Sequence, residues 1–141
     1  MTGARVFVDT SVLVYAHDLS AGPKHHRAKE IVLELWNERS GVLSTQVLQE
    51  FYVVVTKKIP RPLDPRRARE IVESLLYWDV VVNDGEAVLE AIDLSDRYKL
   101  SFWDALVVQA AVRAGAEVVL SEDLNPGQII EGVRVENPFG S

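Results

Sequence analysis

The chain has 141 residues, 48% hydrophobic and 26% charged, the make-up of an ordinary globular domain able to bury a core without staples. Its net charge of −6 excludes a protein that coats nucleic acid by bulk charge, though not an enzyme that holds a phosphodiester through bound cations. The absence of cysteine excludes disulfides, thiolate metal sites and cysteine nucleophiles, and no stretch approaches the ~18 apolar residues of a membrane span.

Near the N-terminus, a single Arg5 and a short apolar run reaching Asp9 do not resemble a signal peptide, so a cytoplasmic location is expected. With no repeat, linker or low-complexity tract, one domain is expected over residues 1–141.

Val6-Phe7-Val8 reads as a buried strand and Ser11 to Ala16 as a helical turn. From Pro23 to Arg39 the apolar residues Ala28, Ile31, Val32, Leu35 and Trp36 fall at helical spacing, with Gly41 expected to end the helix. Val42-Leu43-Ser44 reads as a second strand. Thr45 to Lys58 contains the β-branched run Val53-Val54-Val55, yet its length and the spacing Val47, Leu48, Phe51, Val54, Val55 favour a helix. Pro60 and Pro62 break the chain, and Asp64-Pro65 opens a helix running to about Leu76. Asp79 to Val82 is predicted as a strand, Gly85 to Tyr98 and Ser101 to Ala114 as helices, Val118-Val119-Leu120 as a strand, and Val133-Arg134-Val135 as a last, edge strand. Apolar strands separated by helices imply a three-layer α/β/α sandwich on a central parallel sheet of about five strands.

Open parallel sheets bind ligands at the carboxyl ends of their strands. Asp9 directly follows the first strand and Asp123 closely follows Leu120, so both fall on one rim. Glu50, in the second turn of the helix after Val42-Leu43-Ser44, lies near that rim, and Asp104 opens its own helix. Each acid also has a structural reading. Asp9 is good N-cap material, Asp104 forms a Ser-x-x-Asp box with Ser101, and Asp123 sits in a turn-rich stretch. Glu50 shares a stripe with Val47, Val53 and Val54, where an unpaired charge is costly without a cation or hydrogen-bond network. Carboxylates converging on one rim repel each other unless a cation sits among them, and oxygen-only ligands suit Mg²⁺ or Mn²⁺.

At these residues the sequence resembles the PIN-domain family and, within it, the VapC-like toxin ribonucleases. The matching stretches are Phe7 to Ala16 (FVDTSVLVYA), Ser44 to Tyr52 (STQVLQEFY), Leu100 to Ala111 (LSFWDALVVQAA) and Leu120 to Leu124 (LSEDL), in the family's order. The resemblance implies a PIN fold, Mg²⁺- or Mn²⁺-dependent cleavage of RNA, and site acids at Asp9, Glu50, Asp104 and Asp123. It places Ser11 and Ser121 at hydroxyl positions near the metal, where they would orient water or a ligand. For the toxin branch it implies a small antitoxin partner and a homodimer. Glu122 departs from the pattern as an additional acid beside Asp123, and is expected to face solvent. The resemblance leaves open an RNA-processing nuclease outside toxin–antitoxin systems, or an inactive PIN-like binding module.

Other residues receive plainer readings. His17, His25 and His26 are expected to be solvated rather than zinc ligands, and Asp18 and Asp93 to be surface acids. Lys57 to Arg69 carries Lys57, Lys58, Arg61, Arg66, Arg67 and Arg69 against Asp64 alone, either a solvated helix face or an RNA-backbone contact. Trp36, Trp78 and Trp103 read as core or dimer-interface aromatics rather than base-stacking platforms. An aspartyl-phosphate phosphatase would need a second acid two residues after Asp9, where Ser11 stands, and a phospho-receiver would need a lysine after Lys99, which is the last in the chain.

Overall fold

The computed structural model describes residues 4–140. Its elements, in chain order, are β1 (Val6–Val8), α1 (Thr10–Tyr15), a 3₁₀ turn (Leu19–Ala21), α2 (Pro23–Glu38), β2 (Gly41–Ser44) and α3 (Thr45–Lys57). There follow α4 (Pro65–Leu75), β3 (Asp79–Val81), α5 (Gly85–Tyr98), α6 (Phe102–Arg113), β4 (Val118–Leu120), β5 (Ile129–Ile130) and β6 (Val133–Glu136).

The sheet has six strands in the order β3-β2-β1-β4-β6-β5, parallel except for the β5–β6 pair. The chain winds outward from β1 through β2 to β3, then crosses to β4 on the far side of β1. Right-handed crossovers therefore put α1 to α4 on one face and α5 and α6 on the other. The packing agrees, since α1 meets α2 and α3, α3 meets α4, and α5 lies along α6. The reversal of winding between β1 and β4 opens a crevice at their carboxyl ends.

Two sequence expectations are corrected here. Val133 to Val135 is not an edge strand but lies inside the sheet, because β5 pairs antiparallel on its outer side. The two strands are joined by Glu131-Gly132, both at positive φ (50° and 85°), the backbone a two-residue hairpin requires. A two-residue strand has no periodicity to read, so the sixth strand escaped the pattern. The second correction concerns α2, which ends on Arg39 in the left-handed region, not on Gly41. Gly41 instead starts β2, where an added Cβ would lie 2.4 Å from the Trp78 ring. Glycine is needed there for close approach rather than for helix termination.

Candidate active site

The candidate site forms at the β1–β4 crevice. Val8 pairs with Leu120, which sets the next residues of the two strands, Asp9 and Ser121, side by side. The Asp9 amide continues the ladder to the Leu120 carbonyl at 3.0 Å. Asp9 is only 6% exposed, and its carboxylate caps α1 by accepting from the Thr10 amide at 2.7 Å. The capping and site readings of this residue are therefore compatible, because one carboxylate oxygen serves each neighbour. The other oxygen accepts from the fully buried Ser121 hydroxyl at 2.8 Å.

Burial pushes the Asp9 carboxyl up to about 6, against the pull of its bonds from Ser121 and Thr10, and the charges of Asp123 and Glu50 push it in the same upward direction. Asp123 is raised as well, first by burial and then by the charges of Asp104 and Glu122. The four acids are thus joined in pairs by mutual repulsion: Asp9 with Glu50 and with Asp123, and Asp123 with Asp104.

Thr10, Ser11, Glu50 and Asp123 line one groove of 730 Å³ between α1 and α3, whose wall continues along Val14 and Val54. Glu50 is half-buried and held by the Thr10 hydroxyl at 2.6 Å and the Gln46 amide at 3.4 Å. This corrects its stripe. Val47 is buried, but Val53 is exposed and Val54 half-buried, so Glu50 stands at the border of the core. Gln46, itself buried, also donates to the Trp103 carbonyl at 3.4 Å, linking Glu50 to the start of α6. The next residue, Asp104, is half-buried, and its amide donates to Ser101 Oγ at 3.1 Å, the capping bond expected from the sequence. Neither Asp104 nor the buried Asp9 is among the groove's lining residues. Ser121 Oγ accepts from the Asp123 amide at 3.1 Å, and Ser11 Oγ is buried with no hydrogen-bond partner among the described residues.

Among the described residues, no three Asp, Glu or His side chains meet closely enough to enclose a cation as they stand. The chemistry of the donors nonetheless fits a hard divalent ion. Asp9 and Glu50 present carboxylate oxygens that accept from neighbouring donors, Asp9 from Ser121 and the Thr10 amide and Glu50 from the Thr10 hydroxyl and Gln46. The oxygen-only set and the orphaned Ser11 hydroxyl suit Mg²⁺ or Mn²⁺.

Sequence reasoning overlooked Thr10 and Gln46, although Gln46 stands one helical turn before Glu50 and could have been found from that spacing. Several side expectations also fail. Glu122 does not face solvent freely but bonds to the Tyr15 hydroxyl at 2.9 Å and pairs with Lys24. Asp18 is buried, with one oxygen taking both the amide and the hydroxyl of Ser20. His25 is buried against the Tyr15 carbonyl, and His17 is half-buried with its ring edge-on to Phe51. Asp93 is exposed as expected. Trp78 packs on the core, whereas Trp103 is 63% exposed.

The PIN domain family model matches residues 6–129, and the chain belongs to the PIN-domain family. No curated protein matches it. Among solved structures, a toxin–antitoxin complex from Klebsiella pneumoniae aligns with a TM-score of 0.68 at 21% identity, over 98% of this chain and 100% of that one. DNA-bound VapBC from Salmonella typhimurium aligns at 0.64 and 20% identity, over 96% and 99%. VapC20 of Mycobacterium tuberculosis, described as a toxin cleaving the sarcin-ricin loop, aligns at 0.63 and 19% identity, over 84% and 89%. At such identities the likeness is one of fold.

Proposed function

Taking the PIN fold as premise, we propose that this chain is an Mg²⁺- or Mn²⁺-dependent ribonuclease that hydrolyses RNA phosphodiester bonds at Asp9, Glu50, Asp104 and Asp123. The observation that supports it most is the buried Asp9 carboxylate, raised to about 6 at the strand-end crevice, with Asp123 and Glu50 adding their repulsion. Such a charge arrangement costs stability in a protein with no use for it, and a divalent cation reverses the cost.

A divalent ion bound there would activate water and stabilise negative charge on the phosphoryl group. The chain's own residues set the stage for that. Ser121 ties the Asp9 carboxylate to the Asp123 main chain through one hydroxyl. Thr10 and Gln46 steer Glu50 from opposite sides. Ser11, with its unpartnered hydroxyl, is free to bond a water or a phosphate oxygen. Attack by water, with the 3′ oxygen leaving, gives a 5′-phosphate and a 3′-hydroxyl.

We assign the chain to the toxin side of a toxin–antitoxin pair, with a small antitoxin partner, a homodimeric state, a cytoplasmic location and one nuclease domain over residues 1–141. The support is the fold shared with proteins from toxin–antitoxin complexes. No described helix is long and apolar enough to cross a membrane. The direct test is cleavage of labelled single-stranded RNA with Mg²⁺, Mn²⁺ or excess EDTA. The reading expects cutting with either ion and none with chelator; full activity in EDTA overturns it.

A further inference from the structure

A second cavity, of 390 Å³, lies between the end of α1, α2 and α4. His17, His25, Lys29 and Arg67 line it over an aliphatic floor that includes Leu33 and Leu63. No acid is among its lining residues, although acids outnumber lysine and arginine 21 to 15 over the chain. Four basic side chains thus reach one cavity from three parts of the chain, and two of them, Lys29 and Arg67, carry formal charge.

The two imidazoles are preset. His17 Nδ1 lies 3.1 Å from the Leu13 carbonyl and His25 Nδ1 lies 2.9 Å from the Tyr15 carbonyl. These bonds hold each proton on Nδ1 and leave Nε2 as the free ring nitrogen. Burial holds His17 below the usual histidine range, and the charges of Arg67 and His25 add to the effect against the bond to Leu13. Lys29 has no ion pair among the described residues, and Arg67 is held loosely, 3.5 Å from the exposed Glu70. Lys29 and Arg67 are the two formal charges of the cavity, and a bound anion favours their charged forms as it would that of a neighbouring imidazole.

The cavity also adjoins the groove of the acids. His17 lines the first and its neighbour Asp18 lines the second. Between Asp9 and His17 runs α1, whose six residues rise about 9 Å. Arg67 and Leu63 come from the basic run Lys57 to Arg69, so the cavity gives part of that run a defined place.

We propose that this cavity is a nucleotide subsite, taking one phosphate of a single-stranded RNA on its basic groups and the adjoining sugar or base on its aliphatic floor. It rests on the ribonuclease reading above and specifies where a strand leaving the acids goes next. The cavity's volume falls within the range of small-molecule pockets, and continuity with the acid groove favours the substrate over an acidic protein segment.

The test compares two double variants with the same loss of charge: Lys29→Gln with Arg67→Gln, and Arg66→Gln with Arg69→Gln. All four side chains are exposed, so thermal melting should match the parent. Binding of fluorescein-labelled single-stranded RNA is read by anisotropy in EDTA, which separates binding from cleavage, across a salt series. The first pair should weaken affinity by about tenfold or more, with the log–log salt slope shallower by about 0.7 for each phosphate no longer neutralised. The second pair should change much less. Equal weakening in both pairs overturns the subsite and leaves only bulk charge. Unchanged RNA binding by the first pair also overturns it, and a simultaneous loss of a co-purifying acidic protein would assign the cavity to a partner. A parent protein that binds no RNA in EDTA overturns the subsite, while the ribonuclease reading is decided separately by cleavage with Mg²⁺ or Mn²⁺.

Discussion

The Ser121 hydroxyl donates to Asp9 Oδ2 at 2.8 Å and accepts from the Asp123 amide at 3.1 Å, so one small side chain fixes both acids that follow the central strands. Both carboxyls are raised above the ordinary range with burial as the main cause, and the Ser121 bond opposes that rise at Asp9.

Ser121→Ala removes the only side-chain donor to the buried Asp9 carboxylate among the described residues. Leaving that oxygen without a partner costs about 1–3 kcal/mol. The expected result is a lower urea midpoint at pH 7 in EDTA, an Asp9 carboxyl raised further, and weaker RNA cleavage. Ser121→Thr keeps the hydroxyl and should recover part of the activity. Equal stability of the alanine variant and the parent would show that the hydroxyl does not support Asp9.

Asp9 gives the metal-free protein a pH dependence of defined sign. Its carboxyl holds a proton to about 6 in the folded chain against an ordinary 3.8, so on raising the pH the unfolded chain deprotonates first. This group's contribution to stability is therefore greatest below about pH 4, falls between about 4 and 6, and stays low above. Asp9→Asn removes that dependence and should stabilise the metal-free protein at pH 7 by up to roughly 3 kcal/mol, while abolishing cleavage. The neutral amide can keep the Thr10 bond, and the Ser121 hydroxyl can turn to accept. A melting temperature well below the parent's in EDTA would contradict the charge argument.

Local pattern carried most of the framework. Alternating apolar runs gave strands and helices at nearly their observed limits, and the rim rule put Asp9 and Asp123 on one rim because the strands before them, β1 and β4, are neighbours in register. What could not be read depends on partners distant in sequence. His25 is buried because the Tyr15 carbonyl meets its ring, and Glu122 is tied down because Lys24 lies 98 residues before it. Glu50 looked core-facing on a helical wheel, yet α1 meets it with the Thr10 hydroxyl rather than with apolar surface. Asp104 is not among the groove's lining residues, and no strand leads directly into its helix.

Gly41 tests the fold far from the acids. A Cβ there would lie 2.4 Å from the Trp78 ring, which cannot yield without moving off the core. Gly41→Ala should cost about 1–3 kcal/mol by overpacking while leaving the cleavage rate of the folded fraction intact. Trimming the ring with Trp78→Leu in the same chain should return part of the loss. An alanine variant as stable as the parent would mean that β2 and β3 shift apart easily, and the double variant would then show no recovery.

Glu50 separates a metal-binding acid from one that only completes a hydrogen-bond network. Its carboxylate takes the Thr10 hydroxyl at 2.6 Å and the Gln46 amide at 3.4 Å, so both oxygens have donors in the metal-free protein. Glu50→Gln can keep the Thr10 bond through its amide oxygen, but its amide nitrogen then faces the Gln46 donor, a modest cost at a half-buried position. The substitution also removes one of the charges that hold Asp9 up. A purely structural Glu50 would therefore leave Mn²⁺ affinity nearly unchanged, or improve it by easing deprotonation of Asp9. An acid that binds the ion would lose affinity by about tenfold or more, because a neutral amide is a poor ligand for a hard cation. Calorimetric titration of Mn²⁺ into parent and variant measures this difference directly, with RNA cleavage followed on the same samples. The expected outcome is a joint loss of Mn²⁺ affinity and cleavage with an unaltered melting temperature in EDTA. Equal Mn²⁺ affinity in the two proteins would remove Glu50 from the ion's ligands and leave Asp9, Asp104 and Asp123 to hold it.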